Sequence, residues 1–66
     1  MANPNRIPVL EKAVDILEYI GSHPGPVTRT ELQQALGIPQ ATCYRVIATL
    51  VEKQWLEAFS GNRYDL

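Results

Sequence analysis

Between Gln40 and Thr49 the chain strings a carboxamide, hydroxyls, a phenol and one guanidinium along a segment without a carboxylate. If Cys43, Val46, Ile47 and Leu50 turn inward at helical spacing, the outward positions are Gln40, Ala41, Thr42, Tyr44, Arg45, Ala48 and Thr49. The chemistry of such a face is recognition. Amide and guanidinium groups pair with adenine or guanine edges, hydroxyls suit phosphate oxygens, and alanine methyls permit close approach. Gln40 and Thr42 fall in the first turn, where free backbone amides attract an anion. Three further residues can join this surface: Thr28 and Arg29 at the start of the preceding helix, both expected to contact DNA, with Arg29 clamping a phosphate, and Arg63, expected at a hairpin tip within reach of the minor groove or backbone. Reactive chemistry is not suggested, since the sequence has no nucleophile-base pair, no clustered metal ligands and no glycine-rich phosphate loop. Neither an enzyme nor a cofactor site is expected.

Each of these residues also has a plainer role. Tyr44 can pack partly against the preceding helix, Thr42 can brace a helix start, and Arg45 and Arg63 can be ordinary solvated side chains. Trp55 is expected in the core or an interface. Cys43, on the apolar stripe, reads as a small buried hydrophobe, and His23, with no other ligand nearby, as solvent-exposed.

The elements that must carry this face follow from periodicity. Leu10, Ala13, Val14, Leu17 and Ile20 recur at helical spacing, with Glu11, Lys12, Asp15 and Glu18 between them, which predicts an amphipathic helix over about 8–21. Pro8 suits its first turn, and the run Gly21 to Pro26 ends it. Thr28-Arg29-Thr30-Glu31 has the form of a capping box opening a second helix over about 29–36, with Leu32, Ala35 and Leu36 as its apolar face and Gly37 as its stop. Ile38-Pro39 then starts a third helix, over about 39–53, with Pro39 in its first turn. The turn between the two is too tight for an antiparallel hairpin of long helices and favours a steep crossing. From Trp55 to Leu66 the period changes to alternation around Ser60-Gly61-Asn62, predicting a hairpin over about 55–66 that lays Leu56, Ala58, Tyr64 and Leu66 on the core. The expected fold is mostly α with a small β-hairpin: a three-helix winged helix-turn-helix, whose third helix normally enters the major groove.

Size and composition set the limits. A chain of 66 residues makes one domain, and such a domain hides only about 60% of the surface of its unfolded form. One cysteine and no partner for it point to a reducing compartment. The start of the chain lacks the apolar run of a signal peptide, so a cytoplasmic protein is expected. The formal net charge of -1 speaks against a polyanion as partner, because phosphate affinity comes from Lys and Arg. Distribution tempers this, since from Leu32 to Val51 the only charged residue is Arg45. That segment either faces a polyanion or is mostly buried.

Three blocks carry a resemblance: Val9-Leu10-Glu11-Lys12-Ala13-Val14-Asp15-Ile16-Leu17, the run Gly37-Ile38-Pro39-Gln40-Ala41-Thr42-Cys43-Tyr44-Arg45-Val46-Ile47-Ala48-Thr49-Leu50, and Tyr64-Asp65-Leu66. Together they resemble the N-terminal domain of the IclR family of bacterial transcriptional regulators, and the middle block is the most specific. The resemblance implies that Gln40, Ala41, Thr42, Tyr44 and Arg45 stand at DNA-reading positions and that the hairpin is the wing. It further implies a homodimer on a palindromic or near-palindromic operator of double-stranded DNA, with the first helix and a flexible arm (1–7) helping to pair the subunits. A linker helix and a domain binding a small-molecule effector would follow Leu66, making this chain the operator-reading part of a longer repressor or activator. Three positions depart from the family pattern: Ala41 where serine is frequent, Gln33 where alanine is frequent, and Gln54 in place of the glycine before the wing. A winged-helix module that binds protein is the alternative function, because fold does not fix function.

Overall fold

The computed structural model describes residues 5–66. Three helices and three short strands follow in the order α1 (Pro8–Gly21), β1 (Val27–Thr28), α2 (Arg29–Leu36), α3 (Gln40–Glu52), β2 (Glu57–Phe59) and β3 (Arg63–Asp65). Of the expected arm, residues 1–4 lie outside the described residues. Arg6 is tied back to α1 by a two-pronged pair with Glu11, Nε at 2.6 Å from Oε2 and the second nitrogen at 2.8 Å from Oε1. The guanidinium holds the Glu11 carboxyl below its usual range.

One core unites the three helices with β1, β3 and the residue that leads into β2. Ile16 and Ile20 of α1, Val27 of β1, Leu32 of α2, Ile38 of the turn, Cys43, Val46 and Ile47 of α3, and Leu56 and Tyr64 of the wing are all buried. This corrects the expected pattern in several places. Ile16 is fully buried, whereas Leu10 and Val14 stand exposed, so α1 meets the core with its C-terminal half along the Ile16–Ile20 line. Leu50 is only half-buried and Ala35 is exposed. Trp55 is exposed and not in the core, and Leu66 and Ala58 lie at the surface; of the four hairpin residues expected on the core only Leu56 and Tyr64 are buried.

The wing is a three-stranded antiparallel sheet in the order β1-β3-β2, one strand more than a hairpin. Val27 pairs with Tyr64 and Thr28 with Arg63, while Ala58 and Phe59 on the other side pair with Tyr64 and Arg63. The extra strand makes physical sense, because an isolated hairpin is marginal in water and a third strand stabilises it. Its sequence signal is only the β-branched pair Val27-Thr28 directly ahead of a helix cap. Gly61 and Asn62 both adopt positive φ at the tip, as a tight turn demands. At the base Glu57 faces Asp65 across the sheet, so the two ends of the wing differ: carboxylates at the base, Arg63 by the tip.

The start of α2 is capped by Thr28, whose Oγ1 accepts from the Glu31 amide at 3.1 Å. The reciprocal half of the expected capping box is not made. Glu31 instead accepts the Tyr19 hydroxyl at 2.7 Å, a charge-assisted bond that ties α1 to α2 and raises the Tyr19 pKa. His23 is likewise not free in solvent. It is half-buried, stacks on Tyr19 with ring centroids 4.1 Å apart, and holds Nδ1 2.7 Å from the Tyr19 carbonyl oxygen. A carbonyl only accepts, so Nδ1 is the donor in this contact.

Candidate nucleic-acid interface

Gly37 ends α2 in the left-handed conformation (φ 65°), and Ile38 donates its amide back to the Gln33 carbonyl. This closing motif turns the chain sharply. Ile38 then drops into the core and Pro39, with extended ψ, precedes α3 as its cap, one residue outside the helix and not within its first turn. Cys43 donates to the Pro39 carbonyl at 2.9 Å, the first bond of the helix. The amides of Gln40, Ala41 and Thr42 therefore have no acceptor in the helix, and no side chain caps them. They form the positive end of the helix dipole.

With Cys43, Val46 and Ile47 buried, the 3.6-residue period puts Ala41, Arg45 and Ala48 along the outward line of α3. Glu52 continues that line one turn later, so the acid-free stretch ends where the helix does. Tyr44 flanks the line on the side of α2 and the wing, 56% exposed, with the Arg29 guanidinium carbon 5.2 Å from its ring centroid. Arg29, Gln40, Ala41 and Tyr44 line one shallow depression of about 430 Å³. On the opposite flank Arg45 and Thr49 border a groove of about 280 Å³ whose other wall is Val9, Leu10 and Ala13 of α1. Thr49 gives its hydroxyl hydrogen to the Arg45 carbonyl at 2.9 Å, leaving its oxygen to accept. Thr42 is half-buried at the helix start. At the tip of the wing Arg63 folds back, its Nε donating to the Ser60 carbonyl at 2.9 Å.

The structure thus brings Arg29, Gln40, Ala41 and Tyr44 together and sets Arg45 and Thr49 one flank away on the same helix. Thr28 is half-buried as the α2 cap. Sequence reasoning missed the stacking of Arg29 on Tyr44 and the bond from the Arg29 amide to the Asn62 carbonyl in the wing turn, 3.0 Å. Cys43 is fully buried, and burial pushes its thiol pKa up, so it serves packing. Among the described residues no group of His, Cys, Asp or Glu is arranged to hold a metal. The family departures fall at distinct places: Gln33 is half-buried and takes part in the α2 stop, while Gln54 sits at φ 67° where α3 ends, with Trp55 donating to the Leu50 carbonyl.

Three helices, a tight turn before an exposed helix that is acid-free from Gln40 to Val51, and a sheet beside it define a winged helix-turn-helix fold. The chain belongs to the IclR helix-turn-helix domain family, whose model matches residues 9–58. It is similar to the HTH-type transcriptional regulator TtgV of Pseudomonas putida, with 35% identity over 52 residues, 79% of this chain and 20% of that protein. Its fold matches the crystal structure of the Agobacterium tumefaciens repressor BlcR with a TM-score of 0.81 at 24% identity, over 94% of this chain and 25% of that one. The chain spans a fifth to a quarter of the length of these two relatives.

Proposed function

We propose that this domain reads double-stranded DNA by sequence, with α3 in the major groove. The observation that carries the reading is the outward face of α3: exposed, acid-free from Gln40 to Val51, and bearing Arg45 as its one charge. Gln40 and Arg45 read base edges, and Ala41 lets the helix approach the groove floor. The free amides of the first turn, Thr42, Tyr44 and Thr49 take phosphates, as does Arg29. Arg63 exchanges its bond within the wing for the neighbouring minor groove or backbone, and Thr28 fixes the α2 start that presents Arg29. Recognition needs no cofactor.

In the longer protein two such domains pair on a palindromic or near-palindromic operator. The exposed apolar residues Ile7, Val9, Leu10 and Val14 in and beside α1 support pairing, since a domain that has hidden Ile16 and Ile20 leaves these side chains uncovered. A small-molecule effector bound by a separate C-terminal domain would change the spacing of the pair and so shift operator affinity, in repression or activation. The setting is the cytoplasm; among the described residues no helix is long and apolar enough to cross a membrane. The same apolar face favours the second reading, a protein-binding module with α3 incidental. Arg45→Ala separates the two. It lowers affinity for duplex DNA by a factor corresponding to about 1–3 kcal/mol and relaxes sequence preference if Arg45 reads a base. Unchanged affinity and preference in a folded variant contradict the DNA reading of this residue.

A further inference from the structure

Tyr44 is the partition between two depressions. On one side lies the hollow with Arg29, Gln40 and Ala41; on the other a hollow of about 310 Å³ between α3 and the wing, walled by Ile47, Ala48, Val51, Ala58 and Tyr64 with the single charged group of Glu52. That second hollow suits an aromatic ring, because its walls are largely apolar and a ring gains by leaving water. Yet the ring stands 56% exposed, with the Arg29 guanidinium over its face at 5.2 Å. Arg29 itself is fixed at its other end. Its residue follows the Thr28 cap, and its amide donates to the Asn62 carbonyl of the wing turn at 3.0 Å. The guanidinium therefore reaches Tyr44 from a backbone pinned to the wing.

We infer that Arg29 is a positioning residue for Tyr44: the cation holds the ring out of the apolar hollow and keeps the phenol at the surface that meets DNA. This deepens the DNA reading above and rests on it for its affinity measurements, while its geometric half concerns the free domain alone. Arg29 then has two effects that a plain phosphate-binding cation lacks. Its removal costs its own contact with the polyanion, and it also disables the phenol of a different helix. A guanidinium suits this double duty better than an ammonium, because its plane stacks on an aromatic face while its edges still donate.

The test combines a mutant cycle with a direct view of the ring. Affinity of the chain for a mixed-sequence duplex of about two helical turns is measured at low salt for the unaltered domain, Arg29→Ala, Arg29→Lys, Tyr44→Phe and the two doubles that join Tyr44→Phe to each Arg29 change. In the unaltered background Tyr44→Phe weakens binding about two- to tenfold, as loss of a phenol-phosphate hydrogen bond requires. In Arg29→Ala the same change costs less than about twofold, because the phenol has already withdrawn. Arg29→Lys restores the salt dependence and part of the Tyr44 effect. In the DNA-free domain, nuclear Overhauser contacts from the Tyr44 ring to the Ala58 and Val51 methyls are absent at first and present in Arg29→Ala. Equal Tyr44→Phe factors in both backgrounds, or a ring that does not move in Arg29→Ala, overturn the inference. An unaltered, folded domain that binds no duplex at low salt overturns the DNA reading instead, and the ring contacts still decide the geometry.

Discussion

Helices α1 and α3 pack on the same core, yet their solvent sides are built of opposite materials. From Gln40 to Val51, short of Glu52, the outward side of α3 shows methyls, hydroxyls, a phenol and the Arg45 guanidinium, whereas the N-terminal half of α1 shows Val9, Leu10 and Val14, the last at 44% exposure and the other two above half. On α3 the domain itself satisfies every large aliphatic side chain at least in part, and what remains is polar or small. On α1 three aliphatic side chains, Val9, Leu10 and Val14, are left about half uncovered by the domain. The difference suits the two surfaces to different partners, in keeping with the function proposed above: α3 to a polyanion approached through hydrogen bonds and charge, α1 to an apolar surface that excludes water.

The strongest way to sharpen this contrast is to damage what both helices share. Ile47→Ala, at a site only 2% exposed, lowers unfolding free energy by about 2–5 kcal/mol, measured by chemical denaturation. Leu50→Ala costs less than Ile47→Ala, since Leu50 is half-buried. Charging the α1 face separates pairing from folding. Leu10→Glu with Val14→Glu changes the stability of the domain by less than about 0.5 kcal/mol per site, while sedimentation shows weaker self-association in a protein that pairs through this face. A stability loss as large as that of Ile47→Ala would place these residues in the domain's own core and break the contrast.

Smaller effects test the joints on either side. Gln54 holds φ 67° at the close of α3, a conformation that costs a side-chain residue but not glycine. Gln54→Gly therefore raises stability by about 0.5–1 kcal/mol, after the greater freedom of glycine in the unfolded chain is set against the relieved strain. At the joint of α1 and α2 the bond to Glu31 raises the Tyr19 pKa. A raised folded-state value means that the contribution is whole below the unfolded value near pH 10 and is lost as pH climbs through the folded one. Tyr19→Phe removes this part of the alkaline loss, visible as a flatter stability profile above about pH 9.

The contrast is only half legible in the sequence. For α3 the inward set Cys43, Val46 and Ile47 stands at helical spacing and the structure buries all three, because the turn at Gly37 and the anchor at Ile38 leave that helix one way to lie. For α1 periodicity names an apolar stripe but not how much of it the domain covers. Leu10 and Val14 satisfy the same spacing as Ile20, and Ile16 escapes the stripe because the helix is apolar on more than one side. The wing shows another limit. Alternation identifies β2 and β3, whereas β1 is two residues long and is recruited by pairing with Tyr64 and Arg63, a tertiary event with almost no local signature. Long-range pairs such as Tyr19 with Glu31 and Arg29 with Tyr44 are likewise out of reach, since local pattern carries no information on which helices lie side by side.

The central claim is that α3 and the wing tip, and not α1, meet DNA. The most direct measurement is a titration of the folded chain with duplex DNA at several salt concentrations, following each backbone amide by nuclear magnetic resonance. The expected shifts concentrate from Gln40 to Thr49 and from Ser60 to Arg63, fading steeply as salt rises through counterion release. Shifts confined to Ile7 through Val14, or no response at low salt, would contradict it and make the apolar face of α1 the functional surface of a protein-binding module.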